Sequence, residues 1–153
     1  MLVKDLMSKN LITSNIDESI HQIAQKMKKY DIGFMPITDD KKIIGILTDR
    51  DIVIEMISNY DHDITKYIKK NIIVIDEGRK VEEAIDIMRK KKVKRLIVVD
   101  RKKVVGIISI SDALEIKEYE MQCLDALKYI CKMVPIKKEV DTEIDEFYLW
   151  LNS

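Results

Sequence analysis

Apolar residues recur along this chain with two different periods, and both patterns occur twice, 61 residues apart. In each copy, one stretch has apolar residues three or four positions apart, which predicts an amphipathic helix. The apolar stripes of these two helices are Ile20, Ile23, Ala24 and Met27, and Val81, Ala84, Ile85 and Met88. Asp17 is the predicted N-cap of the first helix, because a short acidic side chain there can accept a hydrogen bond from the first turn.

Two runs of β-branched residues follow each helix, and their spacing predicts a β-hairpin. The runs, joined in each copy by a four-residue polar loop, are 32–38 and 43–47, then 93–99 and 104–108. A short apolar segment opens each copy, at 11–13 or 72–75, and a further helix begins near Asp49 or Ser111. Each copy is therefore predicted to be a β-α-β-β-α unit.

The two copies are related in sequence as well as in pattern. When residues 3–51 are aligned with 64–112, eleven of the 49 pairs are identical. A repeat of this length defines the structural unit, and a unit of about 60 residues buries a modest fraction of its surface and would be only marginally stable alone. We expect an α+β fold in which two units, related by pseudo-two-fold symmetry, share a core. A cleft between two similar halves is a natural ligand site.

The repeat divides the chain into residues 1–60, 61–120 and an additional 121–153. Apolar positions continue the last helical pattern from Met121 to Val134, and Pro135 ends it. An acidic stretch follows, and the chain closes with the apolar run from Phe147 to Leu151. The apolar positions after Pro135 are consistent with one face of a helix and equally with an extended arm. So many large apolar side chains at a terminus require a surface to cover.

Composition narrows the function further. Hydrophobic residues make up 46% of the chain and charged residues 35%, with 27 basic and 27 acidic groups, which describes a globular protein without net charge. This balance argues against a general nucleic-acid or membrane binder. The apolar runs are too short to span a bilayer, and the N-terminus lacks the pattern of a signal peptide, so we expect a cytoplasmic protein. Cys123 and Cys131 are expected to be reduced thiols.

Signals for an enzyme are weak. His21 and His62 lack the neighbouring cysteines or carboxylates of a metal site. The sequence contains no phosphate-binding P-loop and no dinucleotide-binding glycine motif. We therefore expect a protein without catalytic residues, metal or required cofactor.

The strongest local signal is a motif that ends the hairpin of each unit. A glycine inside the strand is followed by a hydroxyl residue and, three positions later, by an aspartate: Gly45, Thr48 and Asp51, then Gly106, Ser109 and Asp112. Such a glycine allows a ligand or another backbone to approach closely. The carboxylate could accept hydrogen bonds from the vicinal hydroxyls of a ribose. The alternative interpretation is a helix capping box, which needs no ligand.

Residues 89–95 form the single basic run. Its first four cations suit a helix C-terminus. Lys94 and Arg95 differ, because they follow Val93 at the start of a strand, and an arginine there could bind a phosphate. The first unit has Gly33 and Phe34 at the equivalent positions, so the two halves are not chemically equivalent.

The repeat, the order of its elements and its doubled Gly-x-x-[Thr/Ser]-x-x-Asp ending resemble a tandem pair of cystathionine-β-synthase (CBS) domains, also called a Bateman module. The segments 3–7, 35–39 and 45–52 look typical of free-standing bacterial members, and the resemblance covers residues 1 to about 118. It implies two clefts that bind AMP, ADP, ATP or S-adenosylmethionine. It also implies a homodimer through the helices that reports cellular energy or methyl-donor status to an effector protein.

The resemblance also implies roles for individual residues. Asp51 and Asp112 hold the ribose, and Thr48 and Ser109 support sugar or phosphate. Each cleft also uses the opening segment of the other repeat, so that Ile73 lines the Asp51 cleft and Ile12 the Asp112 cleft. The remaining ligand-binding residues implied are Met7, Ile32 and Gly33 at the adenine wall of the Asp112 cleft, Lys94 and Arg95 at the phosphates, and Val93 and Ile107.

Two other functions stay open at this point. In the first, the clefts bind nothing, and the protein is a scaffold that dimerises and docks a partner through its tail. In the second, the basic run contacts RNA or DNA, which the absence of net charge disfavours.

Overall fold

The computed structural model describes residues 1–131, and in it the chain forms two three-stranded sheets of identical topology. In each sheet the first strand runs parallel to the second, and the second runs antiparallel to the third. The strands are β1 (Ser14–Asn15), β2 (Phe34–Asp39), β3 (Lys42–Thr48), β4 (Val74–Asp76), β5 (Arg95–Asp100) and β6 (Lys103–Ser109). The α+β fold of two equivalent units is confirmed.

Helices flank both sheets. The α-helices are α1 (Val3–Leu6), α2 (Ile20–Tyr30), α3 (Val81–Lys91), α4 (Ile110–Leu114) and α5 (Glu120–Ile130). The helix predicted near Asp49 is a π-helix over Asp51–Met56, and the long helix predicted after Ser111 is broken between α4 and α5 by a 3-10 turn at Lys117–Tyr119. Within residues 1–131, no helix combines the length and apolar character that crossing a membrane requires.

The predicted apolar stripe of α3 faces its core, but that of α2 does so only in part. All four stripe residues of α3 are buried; in α2, Ile23 and Met27 are buried, Ile20 is partly buried and Ala24 is exposed. The N-cap of α2 is Ser19, not the predicted Asp17. The Ser19 hydroxyl accepts a hydrogen bond from the Gln22 amide at 3.3 Å, and the Gln22 side chain accepts one from the Ser19 amide at 2.8 Å. This reciprocal pair satisfies two amides of the first turn at once, which a cap two residues earlier could not do.

The hairpin loops are shorter than predicted. Asp39 pairs with Lys42 and Asp100 with Lys103, so only two residues form each turn. These residues adopt left-handed backbone angles, with φ of 45° and 65° at Asp40 and Lys41 and of 44° and 68° at Arg101 and Lys102. Two-residue turns with positive φ at both positions match the twist of the flanking strands.

The two units exchange their opening segments. Val3 of α1 is buried in the core of the second unit, beside Val81 and Ala84, although it precedes the first unit in the chain. Ile64 is buried in the core of the first unit, and it is the repeat equivalent of Val3. Neither core is complete without a segment from the other half. The boundaries predicted at residues 60 and 120 remain a prediction, and the packing crosses the first of them.

A pair of short backbone bridges holds the exchanged segments. Ser8 and Ile107 exchange two N–H···O hydrogen bonds of 2.9 Å, and Ile46 and Lys69 exchange two of 2.9 and 3.0 Å. These two bridges occupy equivalent positions of the repeat. Beside each bridge lies a strand glycine, Gly106 or Gly45. The close approach that the sequence predicted for these glycines is therefore to another backbone.

Gly106→Ala is expected to lower the free energy of unfolding by about 1–3 kcal/mol, the usual cost of overpacking. The added Cβ would lie 2.5 Å from the Ser8 carbonyl oxygen, so the bridge would have to shift. The measurement is urea denaturation. Gly78→Ala is the matched control, because its Cβ would meet only Asp76 Oδ1, at 3.2 Å, in an exposed turn. Equal stabilities of the two variants would show that the bridge is dispensable.

Candidate functional site

Two cavities lie between the units, and one side-chain pair separates them. The Arg95 guanidinium lies 5.8 Å from the centroid of the Phe34 ring, close enough for a cation–π contact. Phe34 and Arg95 are repeat equivalents, and both line both cavities. They therefore mark the seam between the units. We call the cavities the Asp112 cleft and the Asp51 cleft.

The Asp112 cleft has a volume of about 210 Å³ and draws its walls from both units. Ser8, Asn10 and Leu11 enter it from the opening segment of the first unit, and the end of β6 closes it from the second. The predicted site residues that it brings together are Ile12, Ile32, Arg95, Ile107, Ser109 and Asp112.

Ser109 and Asp112 form a capping box at the start of α4. Asp112 Oδ2 accepts hydrogen bonds from the Ser109 amide at 2.7 Å and from the Ser109 hydroxyl at 2.8 Å. The Asp112 amide donates to the Ser109 hydroxyl at 3.2 Å. The cap uses only one carboxylate oxygen, and no group within residues 1–131 donates a hydrogen bond to Asp112 Oδ1. The capping and the ligand interpretations of this motif are therefore compatible.

The Asp51 cleft is larger, at about 480 Å³. Ile73, which the resemblance assigned to it, lines it, but Asp51 itself does not. The predicted residues that it brings together are Thr48, Ile73, Val93, Lys94 and Arg95. Lys69 lines the cleft in front of Asp51.

Lys69 forms an ion pair with the Asp51 carboxylate. Asp51 Oδ2 accepts hydrogen bonds from the Thr48 amide at 3.0 Å and from its hydroxyl at 2.6 Å, as in the other cap. Asp51 Oδ1 lies 2.7 Å from the Lys69 ammonium. Burial alone raises the pKa of Asp51, which is only 6% exposed, but the hydrogen bonds from Lys69 and Thr48 outweigh it and lower the pKa below its usual value. Asp51 therefore stays ionised and fully paired.

The two clefts differ in charge because the repeat is not symmetric here. Ser8 occupies the position equivalent to Lys69, so Asp112 has no such cation. The Asp51 cleft is lined by five cations, and Asp49 is the only carboxylate that lines it within the described chain; the cations are Arg50, Lys69, Lys92, Lys94 and Arg95. The Asp112 cleft is lined by one cation, Arg95, and one carboxylate. One cleft is basic and the other is close to neutral.

Two residues assigned to the Asp112 cleft lie elsewhere. Gly33 lines the Asp51 cleft, because it directly precedes β2 on that side of Phe34. Met7 packs against the core of the second unit. Its sulfur lies beside Gly106, 3.0 Å from the position that a Cβ would take there. The sequence analysis missed Ser8 and Lys69, although the repeat alignment pairs them and shows that only one of them is charged.

The CBS domain family profile matches residues 3–58 and 63–119. This chain belongs to the CBS domain family. Within residues 1–131, no cluster of three or more histidine, cysteine or acidic side chains is arranged to hold a metal ion.

Relatives and solved structures agree with this assignment. The chain is 35% identical over 121 residues to inosine-5'-monophosphate dehydrogenase of Aquifex aeolicus, a match that covers 77% of this chain but 25% of that protein. It is 35% identical over 123 residues to an uncharacterized protein of Methanopyrus kandleri, covering 76% of this chain and 63% of the other. The chain thus spans less than two thirds of the length of both relatives.

Among solved structures, the CBS domain pair of protein MJ0100 superposes with a TM-score of 0.67 at 33% identity. The match covers 73% of this chain and 91% of that one. That structure is a complex with 5'-methylthioadenosine and S-adenosyl-L-methionine.

Lys69→Met is expected to lower the free energy of unfolding by about 1 kcal/mol at pH 7, because the half-exposed pair is partly screened by solvent. The folded-state pKa of Asp51 is lowered, so the pair stabilises the protein above the unfolded carboxyl pKa of about 3.9. That stabilisation is lost as the pH falls through the folded pKa. The difference between variant and parent should therefore shrink in acid, as measured by urea denaturation from pH 7 to pH 3.

Lys70→Met serves as the control for this prediction, since Lys70 is exposed and makes no ion pair within the described residues. A deficit of Lys69→Met that stays constant over the whole pH range would contradict the assignment to Asp51.

Proposed function

We propose that this CBS pair is a non-enzymatic regulatory module that binds an adenosine-containing ligand between its two units. The observation that carries the proposal is Asp112 Oδ1, a carboxylate oxygen left over by the helix cap at the wall of an inter-unit cleft. The similarity to the MJ0100 pair, whose structure holds two adenosine compounds, supports the same class of ligand. AMP, ADP, ATP and S-adenosylmethionine are the candidates.

The Asp112 cleft suits a nucleoside. A carboxylate oxygen can accept hydrogen bonds from both hydroxyls of a ribose. Ile12, Ile32 and Ile107 provide the apolar walls that an adenine ring requires. Ligand pockets of this kind are mostly apolar with a few well-placed polar groups.

The Asp51 cleft suits a ligand that carries phosphate. A ribose can reach the Asp51 carboxylate only if the Lys69 ammonium gives up its ion pair with Asp51 Oδ1. A phosphate on the same ligand would supply the new partner for Lys69, and Lys94 and Arg95 line the same cavity. We therefore assign AMP, ADP or ATP to this cleft and a less anionic adenosine compound to the Asp112 cleft.

A signal requires that binding favours one conformation of the protein over another. Each cleft takes its walls from both units, so a bound ligand favours the arrangement in which the units are held together. The helices present exposed apolar side chains that fit the proposed homodimer. These side chains are Val53, Ile54 and Ile57 after β3, and Leu114, Met121 and Leu124 on α4 and α5.

Thermal denaturation with AMP, ADP, ATP and S-adenosylmethionine tests the ligand class, with GTP as the control. At a concentration 100 times its dissociation constant, a ligand adds about 2.7 kcal/mol to stability. A ligand of the Asp112 cleft should lose this effect in Asp112→Asn, which keeps the size of the side chain but not its charge. If ligand-free protein gains no stability from any of the four, the scaffold function becomes the better account.

Lys69→Ser, which copies the Ser8 position into the second repeat, tests the difference between the clefts. It should weaken the binding of AMP to the Asp51 cleft about tenfold or more, as expected for the loss of one charge-assisted hydrogen bond. Adenosine, which lacks phosphate, should bind the variant more tightly than it binds the parent. Isothermal titration calorimetry measures both. Equal losses for AMP and adenosine would contradict a phosphate role for Lys69.

A further inference from the structure

A third cavity lies at the tips of the two hairpins, away from Asp51 and Asp112. It is an open groove of about 900 Å³. Its lining contains five lysines and, within residues 1–131, no carboxylate: Lys9, Lys41, Lys42, Lys102 and Lys103. We call it the lysine groove.

These lysines lack acidic partners in the part of the chain that the structure describes. Asp39 and Asp100 pair with Lys42 and Lys103 in the backbone register, but neither makes a salt bridge to them. Four of the five lysines belong to the two hairpins, which place like charges on both sides of one groove. Like charges brought together oppose folding unless an anion lies between them.

The floor of the groove is apolar. Val74 of β4 is 49% exposed and Val104 of β6 is 43% exposed. Ile72 and Ile43 line the groove beside them and are only partly buried. An occupant that matches this surface must carry both carboxylates or phosphates and apolar side chains.

Residues 136–153, which follow the described part of the chain, have this composition. They contain five carboxylates and two lysines, a net side-chain charge of −3 to set against the five lysines of the groove; the carboxylates are Glu139, Asp141, Glu143, Asp145 and Glu146. The aromatic and aliphatic run from Phe147 to Leu151 follows directly. The segment thus carries carboxylates that can pair with the lysines of the groove. It also carries apolar side chains that can cover the apolar floor.

The described chain ends beside a cavity that adjoins the lysine groove. Helix α5 ends at Ile130, which lines the Asp51 cleft. Ile72 and Ile97 line both that cleft and the lysine groove, so the two cavities adjoin. An extended chain advances about 3.3 Å per residue, so four residues after Cys131 can span about 13 Å.

We propose that the acidic and aromatic segment 136–153 docks in the lysine groove of its own chain. Its carboxylates pair with the lysines of the hairpins, and its apolar run covers Val74 and Val104. The inference is independent of what binds in the two clefts.

The fluorescence of Trp150, the only tryptophan of the chain, reports the position of this segment in the full-length protein. We expect a blue-shifted emission that acrylamide quenches poorly. Lys41→Glu combined with Lys102→Glu should shift the emission to that of solvated tryptophan and increase the quenching. Lys42→Glu combined with Lys103→Glu provides a second, independent pair, and circular dichroism verifies that the variants are folded.

Lys4→Glu combined with Lys28→Glu is the matched control. Both lysines are exposed, and neither lines the groove. This pair changes the net charge by the same amount and should leave the Trp150 emission unchanged.

Three results would overturn the proposal. Trp150 of the parent protein could emit as solvated tryptophan. Alternatively, Trp150 could be shielded while its emission stays the same in both double variants of the groove lysines. That result would place the segment on another surface, such as the exposed apolar side chains of α4 and α5. Finally, the shielding could return when the Lys41→Glu, Lys102→Glu chain is mixed with a Trp150→Phe chain. That result would show docking into a second copy.

Discussion

The structure depends on two backbone bridges that tie each unit to the opening segment of the other. Ser8 pairs with Ile107, and Lys69 pairs with Ile46, with four hydrogen bonds of 2.9–3.0 Å in total. The glycine beside each bridge allows the backbones to approach this closely. Because the exchanged segments complete both cores and also line both clefts, the stability of the fold and the shape of the clefts rest on the same contacts. A change at one bridge should therefore affect both properties.

The same aspartate can cap a helix and still bind a ligand, because a carboxylate has two oxygens. In both repeats Oδ2 accepts hydrogen bonds from the residue three positions earlier. The two repeats differ at the second carboxylate oxygen, Oδ1. At Asp51 this oxygen forms an ion pair with Lys69, whereas at Asp112 no residue of the described chain donates a hydrogen bond to it. Serine against lysine at one repeat position thus decides whether the aspartate is paired, and Arg50, Lys92 and Lys94 make the Asp51 cleft the more basic of the two. Under the proposed function, this asymmetry suits the two clefts to different adenosine compounds.

Most of the fold could be predicted from the sequence, since the apolar stripes of α2 and α3 and the β-branched runs of the hairpins have clear periods. The doubled pattern also pointed to Thr48, Ser109 and Asp112, which line the two clefts, and to Asp51, which does not. The resemblance implied that each opening segment serves the other repeat. Periodicity alone could not predict that Val3 and Ile64 are buried in the core of the other unit, because it reports which face is buried but not against which unit. Gly33 was misplaced for the same reason: the resemblance assigned it to the Asp112 cleft, whereas in the structure it lines the Asp51 cleft. The short turns at Asp40 and Arg101 were missed because they adopt positive φ without glycine.

The most direct test of this account is amide hydrogen exchange at the two bridges, measured without and with a saturating adenosine ligand. The account predicts that the amides of Ser8 and Ile107 exchange more slowly when the Asp112 cleft is filled, because its ligand contacts residues of both units and opposes their separation. The amides of Ile46 and Lys69 should respond in the same way when the Asp51 cleft is filled. A ligand that binds tightly yet leaves all four amides unchanged would contradict the claim that the bridges and the clefts act together.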